Sequence, residues 1–133
     1  MPGHKTHDTI GVISVVPVAI TAFYLQRNVQ EIVVLATGII AATYFLSPDL
    51  DLNSRIYRRW GLLRWIWFPY QKLIPHRSWL SHSGPISATL RLAYLYLFLL
   101  PFHIPLHPLL LIVWISAMIA DTIHVLADMM WKD

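Results

Sequence analysis

The sequence contains no cysteine. That excludes disulfides, thiolate metal sites and cysteine nucleophiles together. Charge is scarce as well: Asp, Glu, Lys and Arg supply 13% of the 133 residues, where a soluble domain carries roughly 25%. Apolar side chains take their place, at 56% of the chain with a mean hydropathy of +0.54. A chain this short has too high a surface-to-volume ratio to hide so much apolar area within itself. Lipid is therefore expected to be part of its solvent, and one membrane domain is the most the length allows. No internal repeat is evident. The opening MPGHKTHD sets histidines and an acid ahead of the first apolar run, unlike a cleavable leader, so the first span is expected to be permanent.

Four segments are apolar enough to span, at about residues 9–26, 29–45, 85–102 and 108–125. In a dry core backbone groups have no partners but one another, so these spans should be helices and the fold all-α. Each lies near the lower limit of roughly 17 residues, which implies soft boundaries and local thinning of the bilayer. Pro17 should kink the first helix, and Gln26-Arg27-Asn28 should form a tight turn that makes an antiparallel hairpin of the first two. Between spans two and three, about residues 53–78, the sequence changes character. Arg55, Arg58, Arg59, Arg64, Lys72 and Arg77 alternate with Trp60, Trp65, Trp67, Phe68 and Tyr70. Long cationic side chains snorkel and Trp and Tyr favour the headgroup level, so this segment should lie along the membrane surface. Aromatic belts beside spans are ordinary, and no nucleic-acid partner is expected. The excess of arginine places the segment in the cytoplasm, and with four spans both termini join it there. The opposite side keeps only the turn around Arg27 and the segment FHIPLHP, which holds His103 and His107 but no lysine or arginine.

Ligand-type residues gather at the same side. His7-Asp8 precedes span one, and Ser47-Pro48-Asp49-Leu50-Asp51 ends span two. His76 and His82 precede span three; Asp121, His124 and Asp128 close span four. Their spacing of three and then four residues puts the last three within about 60° of one helical face. Asp49 and Asp51 can point together only if the chain is extended there, and Pro48 favours leaving the helix at that point. His76 and His82, six apart, can converge only if the chain turns between them. Each cluster alone has a plain structural reading as a solvated pair, a turn, a cap or an interfacial histidine. Asp121 and His124 are harder to dismiss, because ionisable groups near a span face a partner, water or a metal. For Asp121 the competing reading is an ion pair with Arg91, itself inside span three.

Together, His7, Asp49, Asp51, His76, His82, Asp121, His124 and Asp128 are expected to ligate metal. Oxygen and imidazole donors without sulfur suit zinc, manganese or iron. Their number exceeds the needs of one ion, so two divalent ions with a bridging carboxylate are expected. Such a centre generates a nucleophile at neutral pH and clamps a phosphoryl oxygen. Arg77, with help from Arg91, would hold an anionic substrate group, and Asp8 would serve as proton acceptor. Ser78, Ser81 and Ser83 are candidate donors, or caps for span three.

The blocks SPDLDLNS, RRWGLLRWIWFPY, HRSWLSHSGPISATLRLAYLY and DTIHVLAD resemble the small bacterial membrane proteins of the DUF2227 family, well represented in cyanobacteria and described as metal-binding. The resemblance covers essentially the whole chain. More distantly the pattern is similar to bacterial membrane-bound metal-dependent hydrolases. It runs from an N-terminal His through Pro-Asp-x-Asp and His-Arg-x-x-(Ser/Thr)-His to His-x-x-x-Asp. On that resemblance the matching residues here are His7, Asp49, Asp51, His76, His82, His124 and Asp128; His4 falls outside the pattern. It implies a bacterial inner membrane or a thylakoid membrane as the location.

Two functions follow. The first is a membrane-embedded metal-dependent hydrolase of a lipid or lipid-linked phosphoester at the cytoplasmic leaflet. The second is a non-catalytic accessory subunit of a larger membrane complex, a photosynthetic one included, in which metal ties helix ends together and the aromatic surface docks. A metal carrier is disfavoured by the lack of soft ligands. Reporter fusions at the C-terminus and within residues 53–75 should both read cytoplasmic; a C-terminus found outside would split the proposed ligands across the membrane.

Overall fold

The computed structural model describes residues 3–131, and among them every regular element is helical. Asp133, which the clusters leave out, lies outside the described residues. Helix α1 (His4–Ile13) and α2 (Val15–Tyr24) form one apolar stretch broken at Ser14. The break has a local cause. Pro17 has no N–H to give the Ile13 carbonyl one turn earlier, and its ring crowds that carbonyl. The chain reverses through Gln26, in the left-handed region at φ 55°, and Asn28 caps α3 (Val29–Phe45) by accepting from the Glu31 N–H at 2.8 Å. Helix α3 stops where Pro48 forces the preceding residue out of helical geometry: Ser47 is extended, at ψ 154°.

Residues Pro48–Asp51 then form a short 3-10 helix rather than the extended strand that a shared direction for Asp49 and Asp51 would need. At three residues per turn, side chains two apart diverge. The basic and aromatic segment is likewise not one surface strip. It folds as α4 (Arg55–Arg59), a 3-10 turn (Gly61–Ile66) and α5 (Trp67–Leu73). Trp67 and Tyr70, three apart on α5, turn inward and join Leu50 and Ile56 in a buried cluster edged by Trp60 and Tyr94. Gln71 ties α5 to the 3-10 helix by donating to the carbonyls of Leu50 and Leu52, at 3.0 and 3.1 Å. After a turn at Arg77 come α6 (Trp79–His82), Gly84 at φ 64°, and α7 (Pro85–Leu99), which opens with proline at a position needing no N–H. The last helix, α8 (Leu109–Met130), runs five residues past its expected end near 125.

Among the described residues, four stretches are long and apolar enough to cross a membrane: Lys5–Tyr24, Val29–Asp51, Pro85–Phe102 and Leu109–Met130. Helix α8 is the hub, packing on α1, α3 and α7. The seam is built from small residues, Ala42, Ala88, Ala117 and Ala120 around Ile39, which let helix backbones approach closely. Ser116 reaches across it, donating to the Leu35 carbonyl at 3.2 Å.

Gly38 sets the spacing of α3 and α8. A methyl added there would stand 2.6 Å from Ser116 Oγ and 2.7 Å from its Cβ. Gly38→Ala should therefore push the two helices apart at a cost of about 1–3 kcal/mol, read as a lower melting temperature in detergent. Gly3→Ala, with nothing within 4 Å of the added carbon, should melt like the parent.

Candidate metal centre

The clusters meet at one end of the bundle. The first turn of α1 brings His7, the 3-10 helix brings Asp49 and Asp51, the Pro75–Ser78 turn and α6 bring His76 and His82, and α8 brings His124 and Asp128. Arg77, at φ 56°, makes the turn that lets two histidines six residues apart approach to 5.5 Å between ring centres.

Their atoms are spaced in a particular way. His124 Nε2 lies 3.7 Å from Asp49 Oδ2 and 3.6 Å from Asp128 Oδ2. His82 Nε2 lies 3.8 Å from the other oxygen of Asp49, and its Nδ1 is 3.8 Å from Asp51 Oδ2. These gaps are too long for hydrogen bonds. They are close to the separation of about 3.4 Å between two ligands that each stand about 2.1 Å from one ion at a tetrahedral angle. His7 Nε2 is 3.1 Å from Asp128 Oδ1, and its ring stacks on His124 at 4.0 Å. His76 Nδ1 is 2.7 Å from Asp51 Oδ1.

Among the described residues, two groups of three can each offer donors to a single ion: His7, His124 and Asp128, and Asp49, His82 and His124. His82 Nε2, His124 Nε2 and Asp51 Oδ2 are buried without a hydrogen-bond partner. Buried polar atoms are normally satisfied, so orphans converging on a set of carboxylates fit a bound divalent cation.

Serine hydroxyls aim the rings. Ser47 Oγ lies 3.3 Å from His124 Nδ1, and Ser81 Oγ lies 2.9 Å from His82 Nδ1. With Nδ1–H donating to serine, each Nε2 lone pair faces the centre, the outer-shell arrangement that fixes a ligand's tautomer. Ser47 was legible only as the residue before Pro48-Asp49; nothing in the sequence tied it to His124, 77 positions away. Beside His7, Asp49 and His124 lies a cavity of about 20 Å³, also lined by Thr43 and Ser47. That is room for one water.

Three expected site residues take other places. Asp121 does not join the ligand atoms. It pairs with Arg91 and accepts from Ser87 Oγ at 2.6 Å, with Arg91 and Asp121 both almost wholly buried. An arginine in contact gives that carboxylate its own counter-ion, as the competing ion-pair reading requires. Arg91 is thereby unavailable to a substrate anion. It reaches instead to the Ser81 carbonyl, next to His82, at 3.4 Å. Asp8, expected as proton acceptor, has both oxygens on Arg59, at 2.5 and 3.3 Å. Arg59 also donates to the Tyr44 carbonyl and lies over the Tyr44 ring, so Asp8 anchors the start of α1 instead. Arg77 stands exposed on the turn between His76 and α6.

A family model described as "Uncharacterized metal-binding protein (DUF2227)" matches residues 2–121. The match takes in His7, Asp49, Asp51, His76 and His82 and stops short of His124 and Asp128. An "Uncharacterized protein" of Aquifex aeolicus (strain VF5) is 39% identical over 59 residues, which is 44% of this chain and 41% of that protein's own length. No solved structure matches.

The two roles offered for Asp121 separate experimentally. Arg91→Met leaves the aspartate buried without its counter-ion and should cost about 3–5 kcal/mol. Arg91→Met combined with Asp121→Leu should recover most of that stability and keep its full metal content, measured as ions per chain. Metal loss from a stable double variant would return Asp121 to the ligand set.

Proposed function

The chain belongs to a family of uncharacterized metal-binding proteins, and from that premise we propose a membrane-embedded, metal-dependent hydrolase of a lipid or lipid-linked phosphoester, with its centre at the cytoplasmic leaflet. The observation that carries the reading is the position of Asp49. Its two oxygens face two different histidines, His82 and His124, beside a cavity with room for a water. The donors that come together there are His7, His124 and Asp128, and Asp49, His82 and His124, and these residues would hold the metal. Zinc, manganese or iron suits these donors.

Divalent ions at such a centre polarise a phosphoryl oxygen and supply a nucleophile at neutral pH. The residues of the chain do the rest. Ser47 and Ser81 hold His124 and His82 in one tautomer, and Asp8 with Arg59 fixes the turn of α1 that carries His7. Arg77, at the exposed rim, would take the phosphate of a substrate arriving from the leaflet. The four apolar stretches support a membrane location, and the arginine-rich segment supports a cytoplasmic face for this end. The accessory-subunit reading draws on the exposed aromatic side chains of the same segment, Trp65 and Phe68 among them.

Purified, metal-replete protein should hydrolyse a lipid phosphoester. Asp49→Asn should abolish turnover and lower metal content, while Arg77→Ala should weaken turnover with metal retained. Ser47→Ala, which removes only an outer-shell partner, should lower metal affinity by about 10–100-fold. His103→Ala and His107→Ala, at the far end of the bundle, should leave metal binding unchanged. A metal-replete preparation inert across a broad lipid-phosphate panel, and co-purifying stoichiometrically with a membrane complex, would replace the enzyme by the accessory subunit.

A further inference from the structure

Between Asp51 and Asp121 the chain carries seven arginines and lysines and no acidic residue at all. Two of these cations are committed inside the fold, Arg59 to Asp8 and Arg91 to Asp121. Arg55, Arg58, Arg64 and Lys72 stand exposed on α4, the 3-10 turn and α5. Large apolar side chains are exposed among them: Leu62 at 94%, Leu73 at 74%, Trp65 at 64% and Phe68 at 53%. These cannot be side chains awaiting an internal partner, because α5 has already turned Trp67 and Tyr70 inward to fill the cluster beneath. Phe68 and Lys72, four apart, form the opposite face, with the lysine ammonium 4.6 Å from the ring centre. The buried half of the segment thus holds the exposed half in place.

An apolar surface interleaved with unopposed cations matches one chemistry closely. Leucine and tryptophan suit the glycerol and upper acyl region of a leaflet, while arginine and lysine suit phosphates. Each cation near an anionic leaflet strengthens binding appreciably, and residues 52–120 contain no carboxylate side chain to compete for it. The short elements pack against Pro48–Asp51 at the end of α3, so the face lies at the level where that stretch would leave a bilayer. Building on the membrane reading above, we propose that the outward face of residues 55–73 binds anionic phospholipid headgroups in preference to zwitterionic ones. The face would then hold the metal centre against an anionic leaflet.

The full chain, purified in a neutral detergent, can be titrated with phosphatidylglycerol or phosphatidylcholine of identical acyl chains. Lipid retention is read by native mass spectrometry and stabilisation by melting temperature. Phosphatidylglycerol should bind more tightly, and the preference should fade with salt. The triple variant Arg58→Gln, Arg64→Gln, Lys72→Gln should lose it, at roughly fivefold per charge removed, with metal content unchanged as the check on folding. Should the triple variant fold poorly, Lys72→Glu alone should weaken phosphatidylglycerol binding and spare phosphatidylcholine. Equal affinity for the two lipids would overturn the proposal, as would an undiminished preference in a folded variant. Selective capture of an acidic membrane protein by this face, without lipid discrimination, would overturn it too. Carbonate extraction of native membranes tests the underlying reading separately: a chain released by carbonate does not span, whereas a chain that stays behind without lipid preference removes this inference alone.

Discussion

Negative charge out of contact with water has to be matched, and the way each carboxylate at one end of this bundle is matched sorts its role. Asp8 and Asp121 have arginines of their own, Arg59 and Arg91. Asp49, Asp51 and Asp128 face histidines instead. Neutral imidazole is a natural metal ligand, and unlike arginine it brings a carboxylate no fixed counter-charge. A bound metal would supply the missing charge, and the unpartnered nitrogens of His82 and His124 are donors that could hold it. The arginine pairs then act as struts. One fixes the start of α1, where His7 stands, and the other ties α7 to α8 and to the carbonyl of Ser81 beside His82.

Much of this was legible in the residues. Four apolar runs announce four long helices because a hydrophobic run of that length has few other uses. Histidines and aspartates stand out against so apolar a background, and a charge count puts them at one end. Direction was harder to read. Asp121 and Asp128 lie on nearly the same face of α8, and only the neighbouring helix decides which meets an arginine. Arg91 on α7 was a visible candidate, but a single sequence does not say which rotation of α7 brings it to Asp121. Arg59 and Asp8 lie 51 positions apart, and no periodicity links an N-terminal aspartate to one arginine among seven.

The Pro-Asp-x-Asp stretch carries a similar lesson. Alternation by two suggested a common direction, which holds only for extended backbone. Pro48 instead opens a 3-10 turn, so Asp51 is sent toward His76 while Asp49 faces His124. The aromatic segment misled for the opposite reason. Its tryptophans and tyrosines read as one belt, yet on α5 a helical period divides them, and Trp67 and Tyr70 become core.

His7 and Asp128 come from opposite ends of the chain and meet at 3.1 Å. The first and last described helices are thus fastened to each other at the polar end, like a buckle. During synthesis α1 must wait until α8 has been made before its histidine finds this partner. The polar end is therefore complete only once the final turn of α8 has packed, so a metal held by both His7 and Asp128 would be acquired after that packing rather than before it.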